Sequence, residues 1–219
     1  LLDRPAGLKA ATSPAPAEGG ASPETLEQAR SNAPSTVQTF GRIVSVRDFE
    51  HAARELAMVA KARAYVDWDG EEQAVFVVVA GPGGTSLANS VKDIAASLDA
   101  LRDTNRKMNI VPHASRPVEL ALDVIAGSAY TLDAVQAAVE EAIEELFSFD
   151  NRELGQPVYL SDLYRALQAL DGVVAVDLDV LRPKGAAGVS RMADVYVPLS
   201  AIATLDLNDA TISVAHGGF

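Results

Sequence analysis

Hydrophobic and polar residues change their spacing in the first half of the chain, and the change predicts a helix followed by a β-hairpin. Ser45 and Asp48 form a capping-box pattern that predicts a helix N-terminus. Apolar residues then recur every three or four positions, as on the buried face of a helix. From residue 61 to 68 the spacing becomes two, which indicates a half-buried strand. Asp69-Gly70 follows and predicts a primed hairpin turn.

The remaining pattern predicts strands and helices in alternation. An apolar run without alternation at 75–79 indicates a strand covered on both faces. Two strand–helix–strand sequences predict parallel crossovers, so we expect a split βαβ, ferredoxin-like unit with one extra helix in its second crossover. The predicted elements are strand 75–80, helix 87–105, strand 108–112, strand 118–126, helix 131–147, helix 161–170 with Ser161 as its cap, and strand 173–181.

These elements predict an α+β protein built from four segments. The segments are an extended N-terminal arm with a short helix over 1–35, a helix and the first hairpin strand over 36–72, a ferredoxin-like α/β sandwich over 73–182, and a small β extension over 183–219. The arm is predicted from its density of Ala, Pro and Gly. The extension is expected to pair strands 193–199 and 211–215, joined through Asn208-Asp209.

Composition narrows the classes of function. The chain has 219 residues, of which 48% are hydrophobic, so it can bury a large core. A formal net charge of −12 opposes a nucleic-acid-binding role, because such binding depends largely on Lys and Arg that displace counterions. The chain has no cysteine, which excludes disulfides and thiolate metal sites. No apolar stretch reaches membrane-spanning length, so direct membrane insertion is not expected.

Residues that could carry chemistry are few. The glutamates on one predicted helix face have no His or Lys between them, so a solvated face is favoured over a metal or acid–base site. The three histidines lack ligand spacing. The glycine loop 81–86 lacks the Lys and Ser or Thr of a phosphate loop, which favours a plain turn. We therefore predict no catalytic residue, no cofactor, no metal and no enzyme activity. The residues weighed are Glu140, Glu141, Glu144, Glu145, His51, His113 and His216.

Two blocks of short motifs resemble a known family. The first block reads Asn-Ala-Pro at 32–34, Thr-Phe-Gly-Arg-Ile-Val-Ser-Val-Arg-Asp-Phe-Glu at 39–50 and Val-Ala-Lys-Ala-Arg-Ala at 59–64. The second block, 147–179, contains Phe-Ser-Phe, Leu-Gly-Gln-Pro-Val, Leu-Ser-Asp-Leu and Leu-Asp-Gly-Val-Val-Ala-Val-Asp-Leu. In order and spacing they are similar to the baseplate assembly proteins of the baseplate J-like wedge family, from contractile phage tails and extracellular contractile injection systems.

The resemblance implies a structural role. A wedge protein assembles around the hub and spike, links them to the tube and sheath, and rearranges on contraction. The implied partners are other wedge subunits, hub and spike proteins and sheath or tube-initiator proteins, in a multi-copy ring. The implied location is the cytoplasm of a bacterium or archaeon, within a particle that is released from the cell or belongs to a phage virion. The family generally has longer chains and residue 1 is Leu, so we expect the C-terminal part of a larger protein.

A second class of function stays open beside this one. A ferredoxin-like regulatory or small-ligand-binding domain would use the glycine loop 81–86 as its binding site. Size in solution distinguishes the two classes, because a wedge protein enters a large particle whereas a ligand-binding domain stays a small oligomer.

Phe40 and Arg42 are the residues that we predict at a subunit interface. They place an aromatic side chain and a cation close to the predicted arm, and such residues tend to dominate the energy of protein contacts. Phe49 lies on the inward face of the predicted helix, so we expect it in the core.

Overall fold

The structure is a computed structural model that describes residues 42–103, 105–188 and 190–217. These residues form four α-helices and nine strands, which confirms the predicted α+β class. Within these ranges, none of the helices combines the length and apolarity that are needed to cross a bilayer. The predicted arm over 1–35 lies outside the described residues.

Helix α1 (Val46–Arg54) begins at the predicted capping box. The Asp48 N–H donates to Ser45 Oγ at 3.3 Å, and the Ser45 N–H donates to Asp48 Oδ2 at 2.7 Å. This exchange satisfies two N–H groups that a helix N-terminus leaves without partners. Phe49 is 6% exposed and belongs to the core, as predicted.

Strands β1 (Lys61–Trp68) and β2 (Gln73–Ala80) pair antiparallel along their whole length and confirm the predicted hairpin. The reversal is a four-residue loop rather than a two-residue primed turn. Asp69 Oδ1 accepts the N–H groups of Glu71 and Glu72, both at 2.9 Å, and Gly70 takes a φ of 107°. An Asp that closes the loop through its own side chain replaces the hydrogen bonds of a tighter turn.

Strand β1 lies at the outer edge of the first sheet, whose order is β1-β2-β3. Side chains of helix α1 cover part of that edge. Arg54 Nη2 donates to the Ala62 carbonyl at 2.9 Å, and Glu50 Oε1 accepts the Ala64 N–H at 2.9 Å. These contacts satisfy backbone groups that an edge strand otherwise presents to a passing strand.

Helix α2 (Val91–Asp99) connects β2 to strand β3 (Met108–Pro112), which pairs parallel to β2. This parallel crossover was predicted, although the helix is shorter than the expected 87–105 because a 3₁₀ turn precedes it. We call residues 43–112 the first unit. Its core lies between the sheet and the two helices and contains Ile43, Phe49, Ala52, Ala53, Val59, Ala62, Ala64, Val75, Val77, Val79, Leu87, Ile94 and Leu98.

The second unit, residues 114–216, is built on one long strand, β4. The antiparallel neighbour of β4 is β6, while β8 and β9 pair parallel to successive parts of its other edge. Helices α3 and α4 pack on this sheet through β9 and β6. The elements are β4 (Ala114–Ala126), α3 (Leu132–Phe147), β5 (Val158–Tyr159), α4 (Leu160–Gln168), β6 (Val173–Pro183), β7 (Asp194–Val195), β8 (Ala201–Thr204) and β9 (Thr211–His216).

The predicted ferredoxin-like arrangement over 73–182 is wrong in its strand pairing. Strands β2 and β3 are direct neighbours in one sheet, and β4 pairs antiparallel with β6 in another. A single crossover helix brings the chain back so that the next strand runs parallel. Here two helices follow β4: α3 returns the chain along the sheet, and α4 brings it forward again. Strand β6 therefore begins beside the end of β4 and runs antiparallel to it. The predicted boundary at 72/73, set after the first hairpin strand, lies directly before β2.

The predicted β extension over 183–219 is not a separate pair of strands. Strand β7 pairs with β5, and β8 and β9 both join the edge of β4. Asn208-Asp209 lies in a 3₁₀ turn between β8 and β9. Ser161 is not the cap of its helix, because α4 begins one residue earlier at Leu160 and its N-cap is Tyr159.

Candidate functional site

Arg42 is exposed at the point where the described chain joins the first unit, and Phe40 lies outside the described residues. The next residue, Ile43, is 6% exposed, and its N–H donates to the Leu101 carbonyl at 3.0 Å. The fold therefore anchors the backbone beside Arg42 and leaves the guanidinium on the surface. Whether Phe40 and Arg42 contact a neighbouring subunit stays a prediction.

A second group of side chains connects the two units, and we call it the joint: Lys61, Arg63, His113 and the segment 147–157. Lys61 Nζ donates to the carbonyls of Asp150 at 3.1 Å and Arg152 at 2.6 Å. Arg63 Nη1 donates to the Leu154 carbonyl at 2.9 Å. Two cations of strand β1 thus bind alternate carbonyls, those of residues 150, 152 and 154, in one loop of the second unit.

Arg152 holds the same loop from within. It is 3% exposed, and its Nη2 donates to the carbonyls of Gln156 at 2.7 Å and Pro157 at 2.9 Å. Its guanidinium carbon lies 5.8 Å from the centre of the Phe147 ring, within the range of a cation–π contact. Burial lowers the pKa of Arg152 from its usual value, but arginine stays protonated in proteins.

Lys61 is 9% exposed, and burial lowers its pKa, while the nearby Glu153 carboxylate opposes that shift. Lys61 Nζ lies 3.9 Å from Glu153 Oε1 and 4.9 Å from the centre of the Phe149 ring. A buried ammonium needs several polar partners to offset the loss of hydration. The carbonyls, the ring and the carboxylate supply them here.

The apolar part of the joint is small. Val78, Leu154 and Ile202 form a separate buried cluster between the two larger cores. Residues packed around this cluster are Tyr65, Val111 and Phe149. The directed hydrogen bonds from Lys61 and Arg63 add a specific link between the units to this small apolar contact.

Comparison with known proteins identifies the first unit. The family described as Baseplate J-like central domain matches residues 41–111, a range that contains helix α1 and ends within strand β3. Residues 41–111 belong to the Baseplate J-like central domain family. This confirms the resemblance that the motifs predicted. No curated protein matches the chain.

The fold of the chain also resembles a solved structure. The match is to a chain in the cryo-EM structure of the anti-feeding prophage (AFP) baseplate, 6-fold symmetrised. It has a TM-score of 0.58 at 16% sequence identity and covers 83% of this chain, so it includes parts of both units. The present chain spans 41% of the length of that chain.

The joint brings together the two motif blocks on which the resemblance rests. Lys61 and Arg63 belong to the Val-Ala-Lys-Ala-Arg-Ala motif at 59–64, and their carbonyl acceptors belong to the block that begins at Phe147. The sequence analysis predicted only a half-buried strand over 61–68 and missed the joint. The signal that could have revealed the contact is that both motif blocks belong to the same family resemblance.

His113 is the single residue between β3 and β4, at the same joint. Its ring centre lies 6.4 Å from that of Phe149. Its Nδ1 is buried and finds no hydrogen-bond partner within the described ranges. Burial lowers the pKa of His113 from its ordinary value. The neutral imidazole is therefore the form that fits the folded joint.

This environment predicts a pH dependence of stability. The unfolded chain takes up a proton on His113 more readily than the folded chain does. Stability is therefore complete above the ordinary histidine pKa, about 6.5, and decreases as the pH falls toward the lower folded-state pKa. Denaturant unfolding from about pH 8 to about pH 5.5 measures the loss. His113→Gln should make this loss of stability smaller, whereas the control His51→Gln should leave the loss unchanged. Identical pH curves for His113→Gln and the natural protein would contradict the assignment to His113.

The other histidines and the glutamates do not converge. His51 lies in helix α1, and His216 Nδ1 lies 3.5 Å from the Ala126 carbonyl at the end of β9. Among the described residues, no three His, Cys, Asp or Glu side chains are arranged to hold a metal ion. The glutamates of helix α3 lie away from its buried residues, which are Val135, Val139, Ile143 and Phe147.

Glu140→Gln combined with Glu144→Gln is expected to change the free energy of unfolding by no more than about 0.5 kcal/mol, as for surface sites in general. Gln136 Nε2 donates to Glu140 Oε1 at 2.9 Å, and a Gln at 140 can still accept this bond. Thermal unfolding with and without divalent cations provides the measurement. A cation-dependent rise in melting temperature that the double variant abolishes would establish a metal site instead.

The glycine loop 81–86 uses its own backbone groups. The Gly81 N–H donates to the Thr85 carbonyl at 2.9 Å, and the Gly84 N–H donates to the Gly81 carbonyl at 3.1 Å. Thr85 donates twice to the Pro82 carbonyl, from its N–H at 3.2 Å and its Oγ1 at 2.8 Å. A phosphate site needs such N–H groups directed at the ligand. The loop therefore gives no support to the alternative of a small-ligand-binding domain.

Proposed function

We propose that this protein is a structural wedge component of the baseplate of a contractile injection system. One observation carries the proposal: a baseplate-family match over the first unit coincides with a fold likeness to an AFP baseplate chain that extends over both units. The proposed role is assembly around the hub and spike, a link from them to the tube and sheath, and rearrangement on contraction, without enzymatic turnover.

The joint supports this role through its chemistry. It joins two cores by hydrogen bonds from cations to carbonyls and by a small apolar cluster. Hydrogen bonds from charged groups are stronger than neutral ones and fix an orientation, which suits a subunit that transmits a mechanical change. The proposed partners are other wedge subunits, the hub and spike, and sheath or tube-initiator proteins. The proposed location is within an assembled particle of a bacterium or archaeon.

The proposal is tested by tagging the chain in its natural operon and purifying particles. We expect the chain in every complete particle, at a fixed ratio to the sheath and tube proteins, and no assembled baseplates when its gene is deleted. Mass spectrometry and electron microscopy provide the two measurements. Complete, contraction-competent particles that lack the chain would contradict the proposal.

Arg42→Ala tests the predicted interface in the same particles. The guanidinium is exposed, so its removal opens no cavity, and we expect normal folding of the isolated chain together with a loss of assembled baseplates. Arg165→Ala is the matched control, because its side chain is 79% exposed on helix α4 and it also removes one positive charge. Complete baseplates with Arg42→Ala would contradict the interface, and an unfolded isolated chain would assign Arg42 to the domain itself.

A further inference from the structure

The sheet of the second unit has helices on one face, and among the described residues its other face is exposed. Side chains at even positions of β4, among them Leu120, Leu122 and Val124, are buried in the core under α3 and α4. Alternation along a strand directs the odd positions to the opposite side. We call that side the open face; its residues are Ala121, Asp123, Ile125, Ala175, Asp177, Ser213 and Ala215.

The open face has an apolar row. Ile125 pairs with Ala175 of β6 on one side and with Ala215 of β9 on the other. Ile125 is 41% exposed, and Val174, at a register shift beside this row, is 61% exposed. A large side chain between two alanines leaves a trough on each side of it, into which aliphatic side chains of another molecule can pack.

An acidic row lies next to the apolar one. Asp123 of β4 and Asp177 of β6 are direct cross-strand partners, with Ser213 of β9 on the other side of Asp123. Like charges opposite each other on neighbouring strands repel. Arg191 Nη1 approaches Asp177 Oδ1 at 3.2 Å, with both side chains largely exposed. A further cation above the pair would relieve the repulsion, and an arginine has enough donors to contact both carboxylates.

The two rows enclose a shallow cavity of about 430 Å³, lined by residues of β4, β6 and β9. The surrounding unit is strongly acidic: residues 112–219 hold 16 Asp and Glu against 6 Lys and Arg, whereas residues 42–111 hold 10 against 9. The field of the second unit therefore favours a positively charged partner over any other.

We propose that the open face binds a segment of a different protein chain that carries an arginine or lysine beside an aliphatic side chain. The cation lies over Asp123 and Asp177, and the aliphatic group packs beside Ile125. This rests on the proposed function, in which the chain is surrounded by other baseplate subunits. A second copy carries a net charge of −12, and residues 1–41 hold 4 Asp and Glu against 3 Lys and Arg, so neither supplies the excess of positive charge that the acidic second unit attracts.

The test places a photo-crosslinking amino acid at Ser213 in the full chain within assembled particles. We expect a crosslink to a different protein, at a segment with a basic residue next to an aliphatic one, identified by mass spectrometry. The same amino acid at Glu144, on the exposed side of helix α3, is the control and should not reach that segment. A crosslink to a second copy or to residues 1–41, or no crosslink in particles that contain the chain, would overturn the inference.

A charge reversal then tests the energetics. Asp123→Arg should lower incorporation into particles by about tenfold or more, because like charges at an interface cost several kcal/mol. The isolated chain should keep its melting temperature, since the change removes a like-charge pair. Replacing the crosslinked basic residue of the partner with Glu should restore incorporation. Normal incorporation of Asp123→Arg would overturn the inference alone, whereas absence of the natural chain from particles would overturn the proposed function as well.

Discussion

Arg152→Ala is expected to lower the free energy of unfolding by about 2–4 kcal/mol, because it removes a buried cation that holds two backbone carbonyls. The carbonyls of Gln156 and Pro157 lose a donor, and the space beside the Phe147 ring is left empty. Denaturant unfolding of the full chain measures the change. A slope that stays constant between the variants shows that the two units still unfold together.

Two further variants show how much of this effect depends on the buried guanidinium of Arg152. Arg152→Lys keeps a cation but loses the forked donor geometry of arginine. We therefore expect its free energy of unfolding to lie between that of the natural protein and that of Arg152→Ala. Arg165→Ala removes an arginine whose side chain is 79% exposed, and we expect no more than about 0.5 kcal/mol. Equal stability of Arg152→Ala and Arg165→Ala would show that the joint does not depend on the buried guanidinium.

Gly155→Ala is expected to lower the free energy of unfolding by about 2–4 kcal/mol, because the added Cβ causes both backbone strain and a close contact. Gly155 has a φ of 70°, and a Cβ there would lie 2.9 Å from the Leu199 Cα, a backbone atom that cannot rotate away. The Gly155 N–H also donates to the Ala201 carbonyl at 2.8 Å, which fixes the glycine against β8. Thermal unfolding provides the measurement.

Gly70→Ala is the matched control for this prediction. Gly70 also has a positive φ, 107°, but a Cβ there meets no atom within 4 Å. Its cost should be the backbone strain alone, about 1 kcal/mol or slightly more. The difference between the two variants measures the contact at Leu199. Equal losses would mean that the loop moves away from β8 without cost.

Local elements of this fold could be predicted from the sequence because their signals are local. The change of period at residue 61 places the start of β1 correctly, and the capping box at Ser45 places the start of α1. Strand pairing could not be predicted in the same way. Both helices of the connection between β4 and β6 were predicted, but the sequence does not encode where they pack, and their packing decides whether the two strands run parallel or antiparallel.

The C-terminal strands illustrate the same limit. Strand β9 has only six residues, and it pairs with β4, about 90 positions earlier, rather than with the preceding strands. Its alternation indicated a strand but carried no information on its neighbour. Register and partner are set by the core under the sheet, where Ile212 and Val214 pack against the second-unit cluster.

The joint was missed for a different reason. Lys61 and Arg63 occupy positions of β1 that alternate with Ala62 and Ala64, and a charged residue on a strand ordinarily faces water. Their hydrogen-bond acceptors are backbone carbonyls, which every residue has, so the residue types in the sequence did not reveal the contact. Phe40 and Arg42 were chosen from residue type and position, and the contact that they make in an assembly stays a prediction.

The covered edge of β1 bears on how subunits behave at high concentration. Edge strands with free N–H and C=O groups attract further strands and lead to aggregates. Arg54 and Glu50 occupy the carbonyl of Ala62 and the N–H of Ala64, so another chain cannot continue the first sheet along this stretch. Association there must proceed through side chains, which selects partners by shape and charge. Copies of the chain are thereby kept from polymerising through this stretch of the edge.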